Sequence, residues 1–102
     1  MSRSIVFKAE ARIEFTGAVG WYEAQRPGLG HEFETEVANL LDKVLEDPQR
    51  FRPVTRLVRT ACMRRFPYSI YFAEAGDVVG VVAVFHAKRD PAVLYRRLGL
   101  EK

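Results

Sequence analysis

The chain has 102 residues, 48% of them apolar and 28% charged, with a formal net charge of +3. That composition fits one folded domain, residues 1–102, and excludes a disordered, collagen-like or Gly/Pro-rich chain. The single cysteine, Cys62, excludes an internal disulfide and any cysteine-rich metal site.

No apolar run approaches the roughly 20 residues of a membrane helix. Residues 1–8 lack the long apolar core of a secretory signal, so no membrane association and a cytoplasmic location are expected. A chain this short buries only about 60% of its unfolded surface, which leaves a thin stability margin and favours a partner chain or a second copy.

Ser4 to Lys8 reads as a first strand, with Ile5 and Phe7 at period two. Ala9 to about Gln25 reads as a helix whose inner face carries Ala11, Phe15, Ala18 and Tyr22. Gly17 and Gly20 weaken that helix by about 1 kcal/mol each and suggest close approach of a second helix there. Arg26 to Gly30 is a turn, and a second helix follows from about Leu29 to Glu46. Its stripe of Phe33, Val37, Leu40, Leu41 and Val44 is the strongest periodic signal in the chain. Glu32, Glu34 and Glu36 suit the positive end of its dipole, and Asp47 before Pro48 ends it. The two helices should form an antiparallel hairpin.

The rest is strand-like. Leu57 to Arg64 and Tyr68 to Phe72 are two strands, and Glu74 to Asp77 turns the chain, with Gly76 supplying backbone freedom. Val78 to Phe85 is apolar almost without break, the pattern of a central strand buried on both faces. Asp90 then caps a short C-terminal helix with Pro91 at its first position. The sum is an α+β domain: N-terminal strand, antiparallel helix hairpin, three-stranded antiparallel meander and terminal helix.

Charge is unevenly distributed. Residues 1–49 carry five basic and nine acidic side chains, a net of −4, and residues 50–102 carry eleven and four, a net of +7. Such a split points to an anionic partner: RNA, DNA or an acidic protein segment. Arg59 and Arg65 share a strand parity opposite to Arg64, so one set is expected to line a single sheet face. The plainer reading is a charged strand edge that resists aggregation.

His86, Lys88 and Arg89 leave the last strand, where His86 can act as acid or base and Arg89 can stabilise phosphate charge. Against this stand a His86 satisfied by backbone and an Arg89 paired with a carboxylate. Tyr95, Arg96 and Arg97 can stack a base and hold its phosphate, or form a helix that buries Tyr95 and Leu98 and keeps its arginines in water. Cys62 is expected to be a buried structural thiol. Neither a Gly-rich phosphate loop nor a metal-ligand spacing appears, so no cofactor and no metal are expected.

Taken together, Trp21, Tyr22, Glu23 and Gln25, then Pro27 to Gly30 with Phe33, Val58–Arg59, Arg65 to Phe72, and His86 with Arg89 to Pro91 resemble the RelE/ParE superfamily of type II toxin–antitoxin toxins, often named plasmid stabilisation proteins. The resemblance covers nearly the whole chain. It implies a compact α+β toxin that inhibits growth and is held inactive in a heteromeric complex with a cognate antitoxin.

One branch of the superfamily cleaves mRNA at the ribosome, and the other poisons DNA gyrase. The resemblance puts the nuclease branch's two lysines near Thr60 and Cys62 and its third-strand arginine at Ser69, where this chain has no cation. Arg89 and Tyr95 do fall at its remaining arginine and tyrosine positions. The candidate catalytic residues are therefore Arg89, Tyr95 and His86, and the candidate target-binding residues are Arg59, Arg64, Arg65, Lys88 and Arg96. The expected function is a toxin acting on a macromolecular target such as gyrase. The alternatives are a metal-independent mRNA endoribonuclease and a non-toxic basic binding module.

Overall fold

A computed structural model describes residues 3–100. Met1 and Ser2, within the segment read above for a targeting signal, lie outside the described residues, as do Glu101 and Lys102.

The elements are β1 (Ser4–Phe7), α1 (Ala9–Gln25), α2 (Leu29–Glu46), a 3-10 turn (Pro48–Arg50), β2 (Arg52–Pro53), β3 (Val58–Cys62), β4 (Tyr68–Ala75), β5 (Val78–His86) and α3 (Pro91–Arg97). The five strands form one sheet in the order β1-β5-β4-β3-β2. The meander β3-β4-β5 is antiparallel, as the turn chemistry requires. β1 lies parallel to β5, with Ser4 opposite Val78 and Phe7 opposite Val81. Alternation in Ile5 and Phe7 told which side faces the core but carried no information on strand direction. β2, only two residues long and containing Pro53, was not anticipated, because nothing so short shows periodicity.

Helices α1 and α2 cover one sheet face. Ala11, Ala18 and Tyr22 of α1 and Phe33, Val37 and Leu41 of α2 pack on Ile70, Val81 and Val84. Phe33 is the hub: its ring lies 5.1 Å from Phe66, 5.3 Å from both Tyr22 and Tyr68, and 6.1 Å from Phe15. Such tilted and edge-on aromatic pairs add roughly 0.5–1.5 kcal/mol each beyond the burial of their area. A second patch, Val44 with Ala61, Phe72 and Val79, continues the core toward β3.

An irregularity between Tyr71 and Phe72 shifts the β4–β5 register by one residue of β5. Beyond it, Ala83 and Phe85 pack with Leu94 of α3 and with Tyr71, while Val84 joins the α1–α2 side. This is why the end of β5 is buried on both faces. Asp90 caps α3 as expected, its carboxylate accepting from the Ala92 N–H at 2.9 Å.

Two local expectations are corrected. The close approach of the helices is not at Gly17 or Gly20, where an added Cβ meets nothing within 4 Å. It is at Gly30, where a Cβ would sit 2.7 Å from the Val19 carbonyl oxygen. The second predicted strand is shorter than Leu57 to Arg64, because the chain leaves the ladder after Cys62. There the Arg64 and Arg65 backbone N–H groups donate to the Glu36 carboxylate at 2.9 and 3.1 Å.

Gly20→Ala should stabilise the protein by about 0.5–1 kcal/mol through the exposed helix surface. Gly30→Ala should destabilise it, and Phe33→Ala should cost about 3–5 kcal/mol. Urea unfolding midpoints check all three, and a stabilising Gly30→Ala would contradict the helix packing.

Candidate functional site

β1 pairs with only the first half of β5, so the stretch from Val82 onward would have an open edge. Two side chains close it. Glu14 of α1 accepts from the Val84 N–H at 3.0 Å, and Arg97 of α3 donates to the Val82 carbonyl at 3.1 Å. The same two residues form a forked ion pair, Nη1 to Oε1 at 2.9 Å and Nη2 to Oε2 at 2.8 Å. Arg89 donates a further bond to Glu14 Oε2 and stacks over Phe85 at 4.9 Å.

The Glu14 side chain is only 11% exposed. Burial raises its pKa, but the bonds from Arg97, the Val84 N–H and Arg89 outweigh that and hold it below the ordinary 4.5. Sequence reasoning passed over Glu14. A signal was available, since it lies three residues after Ala11 and four before Ala18 on the buried face of α1. A carboxylate on a core stripe requires cationic or hydrogen-bonding partners.

Beside this cluster runs a groove of about 420 Å³ between α1 and the β4–β5 ends. Ile13, Gly17 and Trp21, one turn apart along α1, form its rim, and Tyr68, Val84, His86 and Arg89 line its other side. Ile13 is 71% exposed and Trp21 59%. His86 stands edge-on to Tyr68 at 4.9 Å, and its Nδ1 accepts from the Lys88 N–H at 2.9 Å. Burial pushes the Tyr68 hydroxyl pKa upward.

The structure brings His86 and Arg89 together in this groove but not the other candidates. Tyr95 is 47% exposed on α3 and does not line it. Of the two readings of α3, the one that buries Tyr95 and Leu98 and keeps the arginines in water holds only in part, for Leu94 is the buried residue, Leu98 is half-buried, Arg96 is exposed and Arg97 is anchored to Glu14. Arg96 and Lys88 are exposed.

Arg59 lies toward the far edge of the sheet, donating to the Phe51 carbonyl at 2.6 Å and to Gln49 Oε1 at 2.9 Å. Arg64 and Arg65 leave the strand, so no arginine row forms on one sheet face. Arg65 instead pairs with Glu32 at 2.7 Å, which also holds Arg26 at 3.3 Å. Hydrogen bonds from Arg65 and then Arg26 hold the Glu32 pKa below its ordinary value. Cys62 is exposed rather than buried, and its Sγ accepts from the Ser69 hydroxyl at 3.4 Å.

Residues 5–91 match the family model of the ParE toxin of the type II toxin–antitoxin system, parDE. The chain belongs to that family. Among solved structures it is similar to a chain of the chromosomal ParDE toxin–antitoxin system from P. aeruginosa, with a TM-score of 0.72 at 13% identity. That match covers 86% of this chain and 98% of the other, and at such low identity it speaks to the fold alone. Comparison with curated proteins returned no match.

Because the folded Glu14 pKa is depressed, its stabilisation is complete above the unfolded value and lost as pH falls through the folded one. Glu14→Gln should therefore be less stable by about 1–3 kcal/mol at pH 7 and lose less of its remaining stability below about pH 4.5. Chemical denaturation at a series of pH values checks this, and parallel acid-loss curves for the two proteins would contradict it.

Proposed function

We propose that this chain is a growth-inhibiting toxin that acts by binding a macromolecular target, with DNA gyrase the candidate by family analogy, and is neutralised by a cognate antitoxin. The exposed apolar groove rimmed by Ile13 and Trp21 is the observation that carries the binding mode. Large exposed apolar side chains beside charged ones mark a surface made to be covered by another protein. The antitoxin is read as seating an apolar segment there, with a carboxylate drawn to the half-exposed side chain of Arg89.

The endoribonuclease reading has less support. Thr60, Cys62 and Ser69 are uncharged, and Cys62 stands directly opposite Ser69 across the β3–β4 ladder. Metal-free RNA cleavage needs groups that activate the 2′-hydroxyl and stabilise phosphorane charge. Here Tyr95 lies away from the groove that holds Arg89 and His86.

Inducible expression with mapped RNA ends, run beside a gyrase supercoiling assay on the purified protein, tests the reading. Growth arrest with intact mRNA and blocked supercoiling is expected. Defined mRNA cleavage with supercoiling unaffected would overturn it. Arg89→Ala should abolish most of the toxicity while costing less than about 1 kcal/mol of stability, because Arg97 still neutralises Glu14. Full toxicity in that variant would remove Arg89 from the site.

A further inference from the structure

Helix α1 carries more apolar surface than its own core uses. Ala11, Ala18 and Tyr22 are buried against the sheet, yet Ile13 and Trp21 stand exposed one turn on either side of Gly17. An added Cβ at Gly17 meets nothing within 4 Å, so the helix presents an open notch between two large apolar side chains. At a rise of about 1.5 Å per residue the two lie about 12 Å apart along the axis, room for one large apolar side chain between them. The close approach that Gly17 suggests is thus left to another molecule.

Three hydrogen-bond donors line the other wall of the same groove. Tyr68 and His86 stand opposite each other across the β4–β5 ladder and so share one face of the sheet, and Arg89 closes the end beside Glu14. The His86 Nδ1 accepts from the Lys88 N–H, so the neutral ring carries its proton on Nε2 and presents a donor there. Burial favours the protonated Tyr68 hydroxyl, while the Arg89 charge acts on it from nearby in the opposite sense. Among the described residues no hydrogen bond engages His86 Nε2 or the Tyr68 hydroxyl. Arg89 gives one nitrogen to Glu14, and its side chain remains 41% exposed. Glu14 does not repel an anion here, because its two oxygens already accept from the Val84 N–H, Arg97 and Arg89. Two guanidinium groups on one carboxylate leave the end of the groove with a single positive charge.

We propose that Arg89, His86 Nε2–H and the Tyr68 hydroxyl form a carboxylate subsite, filled by an acidic side chain that the antitoxin carries beside a large apolar residue seated over Gly17. One net positive charge and two neutral donors match a single carboxylate, and the adjacent apolar notch selects a ligand that is anionic at one end and apolar at the other. A nucleic-acid backbone is the less fitting occupant, since a run of phosphates needs a row of cations and this groove holds one that is not neutralised. The proposal rests on the reading of the groove as the antitoxin's seat and adds the side-chain chemistry that the seat selects.

The test is a titration of the full chain with phenylacetate at neutral pH, followed by nuclear magnetic resonance at the indole signal of its one tryptophan, Trp21, and at the Val84 and His86 amides. Phenylacetamide and phenyl phosphate are the neutral and phosphate probes. A fragment of this size should bind with a Kd of about 1–10 mM, and the amide about tenfold more weakly. Arg89→Gln should weaken phenylacetate about tenfold and leave the amide unchanged, which guards against a folding defect, and Tyr68→Phe should weaken phenylacetate about threefold. Gly17→Leu, a favourable change on an exposed helix surface, fills the notch from the toxin's own side and should weaken both probes. In the toxin–antitoxin complex phenylacetate should shift none of these signals, and shifts that persist there would exclude the antitoxin from the subsite. Equal binding of amide and carboxylate, tighter binding of phenyl phosphate, an unmoved Trp21 indole, or parental affinity in Arg89→Gln would overturn the proposal. Neither growth nor supercoiling enters this readout, so its failure removes the carboxylate subsite alone, whereas a chain that binds phenylacetate and arrests no cells removes the toxin reading alone.

Discussion

A carboxylate on the inner face of a helix destabilises a small domain by several kcal/mol unless cations and donors surround it. Glu14 meets that demand by joining three elements that are far apart in sequence. It takes the Val84 N–H of β5, the Arg97 fork from α3 and the Arg89 guanidinium from the turn between them. One side chain thereby closes the strand edge that β1 leaves bare, fixes α3 against the sheet, and sets the charged end of the groove. The ion pair is not free stability, because both partners give up hydration to form it. Its return is that removing either partner leaves an uncompensated buried group, so the arrangement is strongly specified.

The same logic redistributes the charge of the basic half. A net of +7 over residues 50–102 suggests one cationic face, but charge counting does not include pairing. Helices α1 and α2 supply Glu14 and Glu32, and these draw Arg89, Arg97 and Arg65 into local pairs. Arg59 serves as a strut for carbonyls instead. Among the described residues, Arg50, Arg52 and Arg56 near β2 and Arg64 and Arg96 elsewhere are the arginines of that half left without a side-chain hydrogen bond or ion pair, so the remaining charge is scattered. The acidic first half of the chain therefore decides where the basic second half remains available.

Much of the architecture was legible because it rests on local periodicity. The α2 stripe, the Asp90–Pro91 helix start and the apolar run of β5 each carry a signal within one element, and the structure agrees with them. The parts that were not legible depend on contacts between elements. The parallel pairing of β1, the two-residue β2 and the irregularity at Tyr71/Phe72 have no local signature. For the site, His86 and Arg89 were legible as a strand-end pair, whereas their setting was not. Glu14 was visible as a charge on a core stripe, but its three donors come from 70 to 83 residues away. The arginine row failed for a geometric reason: parity arguments hold only within a strand, and the ladder stops at Cys62.

The chain belongs to the ParE toxin family, and the groove along α1 takes this form because Glu14 holds β5 and α3 to α1. Amide hydrogen exchange at Val84 measures that coupling directly. The account predicts that the Val84 N–H exchanges as slowly as the paired amides in the centre of the sheet at neutral pH, and much faster in Glu14→Ala, which removes the acceptor. Rapid exchange of Val84 in the parent protein, at the rate of a free sheet edge, would contradict it.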